Sequence, residues 1–471
     1  MPLREPVPLL EPGALGPVHI MGVGGAGLSG IAGCYAALGL PVSGCDRGDS
    51  PALREVAAQG VAVQVGHDAA HLDGVETLVV SSAIREDNPE LVAARRAGLR
   101  VWHRSAALGA LMLGQRGVAV TGTHGKTTTS AMTVTALQAA GLDPSFVIGS
   151  TLEATGRSFG IGTGGVFVIE ADESDGSFLQ YPAQIVVVTN IEADHLDNWG
   201  TPQRYAQGFA QLVAQPGVRH LVVDLDDPGA AALAASAPAH VQVVGIGESP
   251  RAQIRLSAES STGTGAGATL VQDGRTYSLR LGMPGRHNLV DAAAAFAVGR
   301  LLGADADALL AGLAGFAGTA RRFQLVGQAG GVRVYDDYAH HPTEITAMLT
   351  AARQAVGAGR LVACFQPHLY TRTRDFCDDF GRALALADRV VVTDVYAARE
   401  DPLPGVTGRM VADAAASAGA DVTYVPDKAD LPAALAQLVG SGDLVVTVGA
   451  GDITLVGPAL VRLLGQDGHR D

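Results

Sequence analysis

The sequence predicts an α/β protein of three domains, and three observations carry that prediction. Short β-branched runs alternate with Ala/Leu-rich stretches through most of the chain. Two of these runs lead directly into a glycine loop and then a helix. The length, 471 residues, suits about three domains at roughly 150 residues each, and each is large enough to bury a core.

The strand candidates follow in order. VHIMGV (18–23), TLVVSSA (77–83), GVAVTG (117–122), VFVIE (166–170), QIVVVTN (184–190) and HLVVD (220–224) come first. VRVYDD (332–337), LVACF (361–365), RVVVTD (389–394) and DLVVTVG (443–449) complete the set. Most are continuously apolar rather than alternating, the signature of a strand covered on both faces in a parallel sheet. Separated by helical stretches, they read as βαβ units in open parallel sheets. Residues 252–282 break the pattern: they alternate more strictly and carry STGTGAG and QDGR turns. That predicts a small antiparallel excursion. The expected segments are residues 1–107, 108–318 and 319–471, the last opening after GFAGTARRF with four further strands.

Composition excludes some functions. Acidic residues number 47 and basic ones 33, a formal charge of -14. No nucleic acid or anionic membrane is held by bulk charge on such a chain, although a local basic pocket for a phosphorylated small molecule is compatible with it. Apolar residues are 47% and charged ones 17%, the balance of a folded globular protein. Cys34, Cys45, Cys364 and Cys377 form no CxxC pair or metal spacing, so they are expected to be buried small hydrophobes in a reducing compartment. The first residues lack a signal-peptide core and no 18-residue apolar run occurs. A cytoplasmic protein without membrane insertion is expected.

The first glycine loop is Gly22, Gly24 and Gly27, a G-x-G-x-x-G between the first strand and a helix expected to start near Leu28. Gly25 and Ala26 complete it. Asp46 ends the next strand about twenty residues on. Tight turn, close backbone approach, helix N-terminus and acid together form a site for a diphosphate joined to a ribose. NAD satisfies that requirement, and so does a UDP-sugar.

The second loop, GVAVTGTHGKTTT, precedes the helix SAMTVTALQAAG. Backbone N–H groups of Gly122, Thr123, His124 and Gly125 can surround phosphate oxygens, aided by the helix dipole. Lys126 can lie along the outer phosphates, and Thr127 can place its hydroxyl on Mg²⁺, with Thr128 beside it. Val120 replaces the first glycine of the strict pattern, so this is a shortened phosphate loop for ATP.

Acids and histidines gather at strand ends, where ligands bind in parallel sheets. Glu170, Asp172, Glu173 and Asp175 follow VFVI, and TNIEADHLD brings His195 among acids. Mg²⁺ coordination by one or two carboxylates plus phosphate fits this supply. MPGRHN places Arg286, His287 and Asn288 at the start of an Ala-rich helix. RRFQ, DDYAHHPTEI and FQPHLYTRTRD are dense in Arg, His and Asp; Arg372 and Arg374 can hold a carboxylate or phosphate through paired N–H donors.

GVGGAGLSG, GTHGKTTT, EADESD, TNIEADH, GRHN, ARRFQ, DDYAHHPTEI, FQPHLYTRTRD, DVYAAREDPLPGV and GAGDI stand here in the order found in the Mur ligases. From about residue 18 to 456 the chain resembles that family, most of all the member making the first amino-acid addition in peptidoglycan precursor synthesis. The resemblance implies a Rossmann-like N-terminal domain for the UDP-substrate and a central P-loop ATPase-type domain. It also implies a Rossmann-like C-terminal domain that serves the amino acid and closure. It implies ATP and Mg²⁺, with UDP-N-acetylmuramate and L-alanine as small-molecule substrates. Lys126 matches the phosphate-loop lysine. Thr127, Glu170 and His195 match the metal-binding positions, and His287 and Asn288 the motif near the adenine. His341, Arg372 and Arg374 match residues facing the reacting groups. Asp291 stands where the family more often has Asn, Leu369 where Arg is frequent, and Ala339 where Gly is common.

The implied chemistry is carboxylate attack on the γ-phosphorus to give an acyl phosphate, then attack by the alanine amine. That amine must lose a proton, for which His341 or Asp337 is the candidate base. Two rival readings leave residues idle. A nicotinamide dehydrogenase has no use for the second loop. A nucleotide switch has none for the first loop or the C-terminal Arg/His motifs.

Overall fold

The computed structural model describes residues 3–398 and 400–467. They form two compact units. The first comprises residues up to 258, with 268–279 and 290–316; the second comprises 259–267, 280–289 and 317 onward.

The first unit opens on a five-stranded sheet: β1 (Val18–Met21), β2 (Val42–Asp46), β3 (Ala62–Val65), β4 (Thr77–Val80) and β5 (Arg100–His103). The order is β3-β2-β1-β4-β5, and every pairing is parallel. The order reverses beside β1, which makes the carboxyl end of β1 the crevice where an open sheet takes its ligand. The first glycine loop stands there.

The next sheet starts with β6 (Arg116–Thr121), β7 (Ser145–Leu152), β8 (Arg157–Gly160), β9 (Val166–Glu170) and β10 (Ile185–Val188). It continues with β11 (His220–Asp224), β12 (Gln242–Gly247), β13 (Ile254–Thr262), β14 (Gly265–Gln272) and β15 (Arg275–Leu281). In the order β15-β14-β13-β12-β11-β10-β6-β9-β7-β8, β12 through β7 are parallel. The edge strand β8 is antiparallel to β7, a hairpin the sequence did not announce. The expected excursion over 252–282 is β13–β15, consecutive neighbours joined by two-residue turns.

The second unit holds β16 (Gln324–Ala329), β17 (Val332–Asp337), β18 (Leu361–Phe365), β19 (Arg389–Val392), β20 (Val422–Tyr424) and β21 (Leu444–Val448). Their order is β16-β17-β21-β18-β19-β20. Only β16 is antiparallel, and a register shift interrupts its pairing with β17. Six strands stand where four were expected.

All ten apolar runs read from the sequence are strands. Outside the excursion, the strands missed include every sheet edge: β3, β5, β8, β16 and β20. An edge strand keeps a half-exposed face and so shows no continuous apolar run.

The first two sheets share one core. Leu15, Ile20, Ile31 and Tyr35 belong to the same apolar cluster as Val147, Ile169, Phe178 and Tyr181. The helix Ala26–Ala37 lies against β7 and β8 through glycines. A Cβ on Gly30 would stand 3.3 Å from Val147 Cγ1, and one on Gly33 would run into the ring of Phe159.

Candidate active site

Three interior strands deliver the phosphate site. In the order β10-β6-β9 they end side by side, with Val188 opposite Thr121 and Glu170 opposite Val120. The chain then leaves β6 as the second glycine loop. Gly122 (φ 129°) and Gly125 (φ 82°) both need the left-handed region. The helix begins at Lys126, not beyond the threonines, and runs to Ala139. Lys126, Thr127 and Thr128 therefore form its first turn, where N–H groups lack intrahelical acceptors.

The neighbouring segment holds the loop's backbone. Asn190 Oδ1 accepts the His124 amide at 2.9 Å, and Asn190 Nδ2 donates to the His124 carbonyl at 3.1 Å. Thr123 Oγ1 donates to the Glu192 carbonyl and meets the Tyr205 hydroxyl, both at 3.0 Å. His124 Nε2 lies 3.1 Å from a Glu192 carboxylate oxygen. Asp291 works at the same place: it accepts from Thr129 Oγ1 at 2.8 Å and would stand 2.8 Å from a Cβ on Gly125.

Lys126 Nζ donates to the Gly122 and Thr123 carbonyls at 2.6 and 3.0 Å. It also lies 3.0 Å from Glu173 Oε2. These bonds give the lysine a structural task in addition to the phosphate contact expected of it. Burial disfavours its charge, but Glu173 and Asp172 outweigh that and raise its pKa. Glu173 is fully buried, meets the Tyr205 hydroxyl at 3.3 Å, and lies 3.7 Å from His195 Nε2.

Thr127 Oγ1 donates to Glu170 Oε1 at 3.0 Å, and the Gly149 amide holds Glu170 Oε2 at 2.7 Å. This hydroxyl and carboxylate are hard oxygen donors, set at the phosphate loop, and they suit Mg²⁺. His195 adopts φ 52°, and its ring contacts Glu173 and Asp194 (3.6 Å). It thus joins the group through Glu173.

At the first glycine loop, Gly22 has φ 73°. The Gly25 amide donates to Gly22 O at 3.0 Å. Gly25 is the N-cap and Ala26 the first helical residue, two positions before the expected start. Asp46 Oδ2 accepts the Gly24 amide at 3.0 Å, so the acid expected to meet a ribose also braces the loop. A cleft of about 890 Å³ opens beside Gly24 and Ser29, walled opposite by residues 149–151 and 155–161. A Cβ on Gly27 would stand 3.1 Å from Arg104 Nη1, and Arg104 Nη2 donates to Asp172 at 3.0 Å. Burial opposes the Asp172 charge, but Arg104, Lys126 and His195 hold its carboxyl well below the usual range. Arg104 thus connects the first glycine loop to the acids after β9 that stand beside Lys126.

Sequence reasoning assigned no role to Arg104, Asn190 or Tyr205, and took Glu173 only as one of four acids available to Mg²⁺. Glu173 stood in a motif already singled out. Arg104 lies in no motif, and only the packing of the first two sheets brings it to Gly27.

In the second unit, Asp337 accepts the Phe323 and Ala339 amides at 2.7 and 2.8 Å. Burial pushes its carboxyl up to about 6, against the pull of Arg322. His287 stands exposed in the first turn of the helix Arg286–Leu301. Asn288 Nδ2 donates to Pro284 O at 2.6 Å. His341 caps the helix Pro342–Val356 in a capping box with Glu344, and its ring lies edge-on to Phe376 at 4.9 Å. Arg372 is buried, whereas Arg374 is half-exposed and pairs with adjacent Asp375 at 2.7 Å.

Comparison with known proteins follows the same lines. Three family profiles match: "Mur ligase family, catalytic domain" over 17–140, "Mur ligase middle domain" over 120–299, and "Mur ligase, glutamate ligase domain" over 321–451. A UDP-N-acetylmuramate–L-alanine ligase of Cutibacterium acnes is 61% identical over 467 residues, covering 98% of this chain and 99% of that protein. One from Kineococcus radiotolerans is 53% identical, covering 96% and 97%. The crystal structure of a UDP-N-acetylmuramate–alanine ligase from Thermotoga maritima superposes with a TM-score of 0.80 at 28% identity, covering 96% of this chain and 99% of that one.

Proposed function

The chain belongs to the Mur ligase family, and from that premise we propose that it joins L-alanine to the carboxylate of UDP-N-acetylmuramate. ATP is cleaved to ADP and phosphate, and the product is a peptidoglycan precursor. The observation that carries this reading is the presence of two glycine loops in one unit, with Arg104 running from the first to Asp172 among the acids beside Lys126. One loop suits a triphosphate and the other a diphosphate joined to a ribose, which is what a ligase acting on a nucleotide-linked acid requires.

The domains proposed are 1–107 for the UDP-substrate, 108–318 for ATP and 319–471 for the amino acid. ATP lays its phosphates on the loop amides and the first turn after Gly125. Lys126, released from Glu173, follows the charge that moves onto the β–γ bridge as the substrate carboxylate attacks the γ-phosphorus. Thr127 and Glu170 would hold Mg²⁺, with His195 beside them, and the ion would neutralise phosphate charge. The first-loop helix N-terminus takes the UDP diphosphate, with Arg104 as its counter-charge. The acyl phosphate so formed is attacked by the alanine amine, and phosphate leaves.

Asp337 is the better candidate for the amine's proton, because its raised pKa matches that of a general base near neutrality. His341 is committed to its helix cap. Arg372 serves the carboxylate of the amino acid. Phosphate release measured with all three substrates, and with each omitted, tests the proposal. Release that needs both the UDP-linked acid and alanine is expected; hydrolysis of ATP without acceptor, or NAD reduction, overturns it. Glycine and L-serine in place of alanine measure the amino-acid specificity.

A further inference from the structure

Cys45 is not the isolated buried thiol that its sequence context suggests. It lies on β2 beside His19 of β1, on the face of the first sheet that packs against Leu91 and Ala94. That face lies opposite Ile20, which joins the core shared with the second sheet. His67 and His71 come from the segment after β3, and Glu90 from the first turn of the helix Pro89–Arg96. One potential ligand atom each from His19, Cys45, His71 and Glu90 lies within 4.8 Å of all the others.

The distances to Glu90 are shorter. Glu90 Oε2 is 3.1 Å from Cys45 Sγ and 3.5 Å from His19 Nε2, and Glu90 Oε1 is 2.8 Å from His71 Nδ1. Ligands bonded at ~2.0–2.3 Å around a tetrahedral ion stand roughly 3.3–3.8 Å apart, so four atoms gathered within 4.8 Å of one another close on one centre by shifts of about 1 Å. His19 Nε2 is fully buried and makes no hydrogen bond, while Ser43 Oγ engages the other ring nitrogen at 2.8 Å. That is how a metal-binding imidazole is oriented: one nitrogen fixed by a partner, the other presented to the centre. Glu90 is buried too, and its Oε1 accepts the Asp68 amide at 2.9 Å. His67 Nδ1 stands behind as a fifth donor, 3.3 Å from Cys45 Sγ.

We propose that His19, Cys45, His71 and Glu90 bind one zinc-class divalent ion, separate from the Mg²⁺ site, and that it staples β1, β2 and the helix Pro89–Arg96 together. The donor set selects the ion class. Thiolate and imidazole favour zinc and its neighbours over magnesium or calcium, which take oxygen ligands. A site closed by four protein ligands and buried is structural rather than catalytic in kind. A hydrogen-bonded network alone accounts for Glu90 but leaves His19 Nε2 buried without a well-formed hydrogen bond, 3.5 Å from Glu90 Oε2.

Cobalt reports the ligands directly. The full-length protein, stripped with chelator and checked for folding by circular dichroism, is titrated with Co²⁺. A thiolate-to-cobalt charge-transfer band in the near ultraviolet, saturating at one equivalent and bleached by Zn²⁺, is the expected result. The Thr127, Glu170 and His195 group has no sulfur and cannot give this band. Cys45→Ser should lose the band, and His71→Gln, at a half-buried position, should lose metal retention through a desalting column while staying folded. One equivalent of Zn²⁺ should raise the wild-type melting temperature. A folded wild type with neither band nor shift overturns the proposal, and so does a band that survives Cys45→Ser.

Discussion

At Lys126 one ammonium ties the loop carbonyls to Glu173, and in the proposed reaction it leaves that carboxylate for phosphate. Lys126→Ala should abolish ADP formation. It should also cost ~1–3 kcal/mol of stability, since Glu173 is left buried without its cation and escapes partly by taking a proton. Lys126→Ala combined with Glu173→Gln should recover most of the melting temperature and none of the activity. A single variant as stable as wild type would show the pair to be idle. Asp337 makes a second prediction. Its folded pKa of about 6 lies above the ordinary 3.8, so between those values the folded chain keeps a proton that the unfolded chain releases. Stability from this group is therefore full below pH 3.8 and falls as pH rises to about 6. Asp337→Asn should remove that slope in denaturant melts. The same titration in the opposite sense should appear in kcat/KM, rising through about pH 6 and vanishing in the variant.

Among the elements, the helix Ala26–Ala37 does two jobs: its N-terminus faces the first loop, and its glycines seat it on β7 and β8. Gly33→Ala gains about 1 kcal/mol of helix propensity. Against that, the new methyl meets the Phe159 ring, and overpacking of this kind typically costs ~1–3 kcal/mol. Overpacking wins, so the melting temperature should fall. Affinity for the UDP-substrate should fall with it, because Gly33 and Phe159 also line the cleft. Thermal melts and calorimetry check both; a stabilised variant would mean that β8 yields freely. The hairpin was illegible beforehand because β7 and β8 break their apolar pattern with Gly149, Ser150, Thr151 and Arg157, the residues that wall the cleft.

On the scale of the whole molecule, the first glycine fingerprint by itself reads as NAD. The intact chain should instead bind UDP-N-acetylmuramate, with no calorimetric signal for NAD. An isolated segment 1–107 is the wrong material for that measurement. Its Ile31, Tyr35 and Ala107 belong to the core shared with the second sheet, so cutting there exposes apolar surface. Gly24→Val is equally unsuited, since a Cβ at Gly24 would lie 2.9 Å from Asp46 Oδ2 and would disturb the loop with or without a ligand.

The sequence by itself determined the α/β class, the ten interior strands it named and both glycine loops. Each rests on information local in the chain: apolar runs mark doubly covered strands, and a strand, glycine loop and helix are contiguous. Only the tertiary structure decided that β10, β6 and β9 stand together, that Glu173 meets Lys126, and that Arg104 reaches Gly27. It also gathered Cys45 with His19, His71 and Glu90, whose spacing matches no metal motif. Strand order and packing join residues far apart in the chain through parallel crossovers, and a crossover leaves no mark on the spacing of the residues it unites.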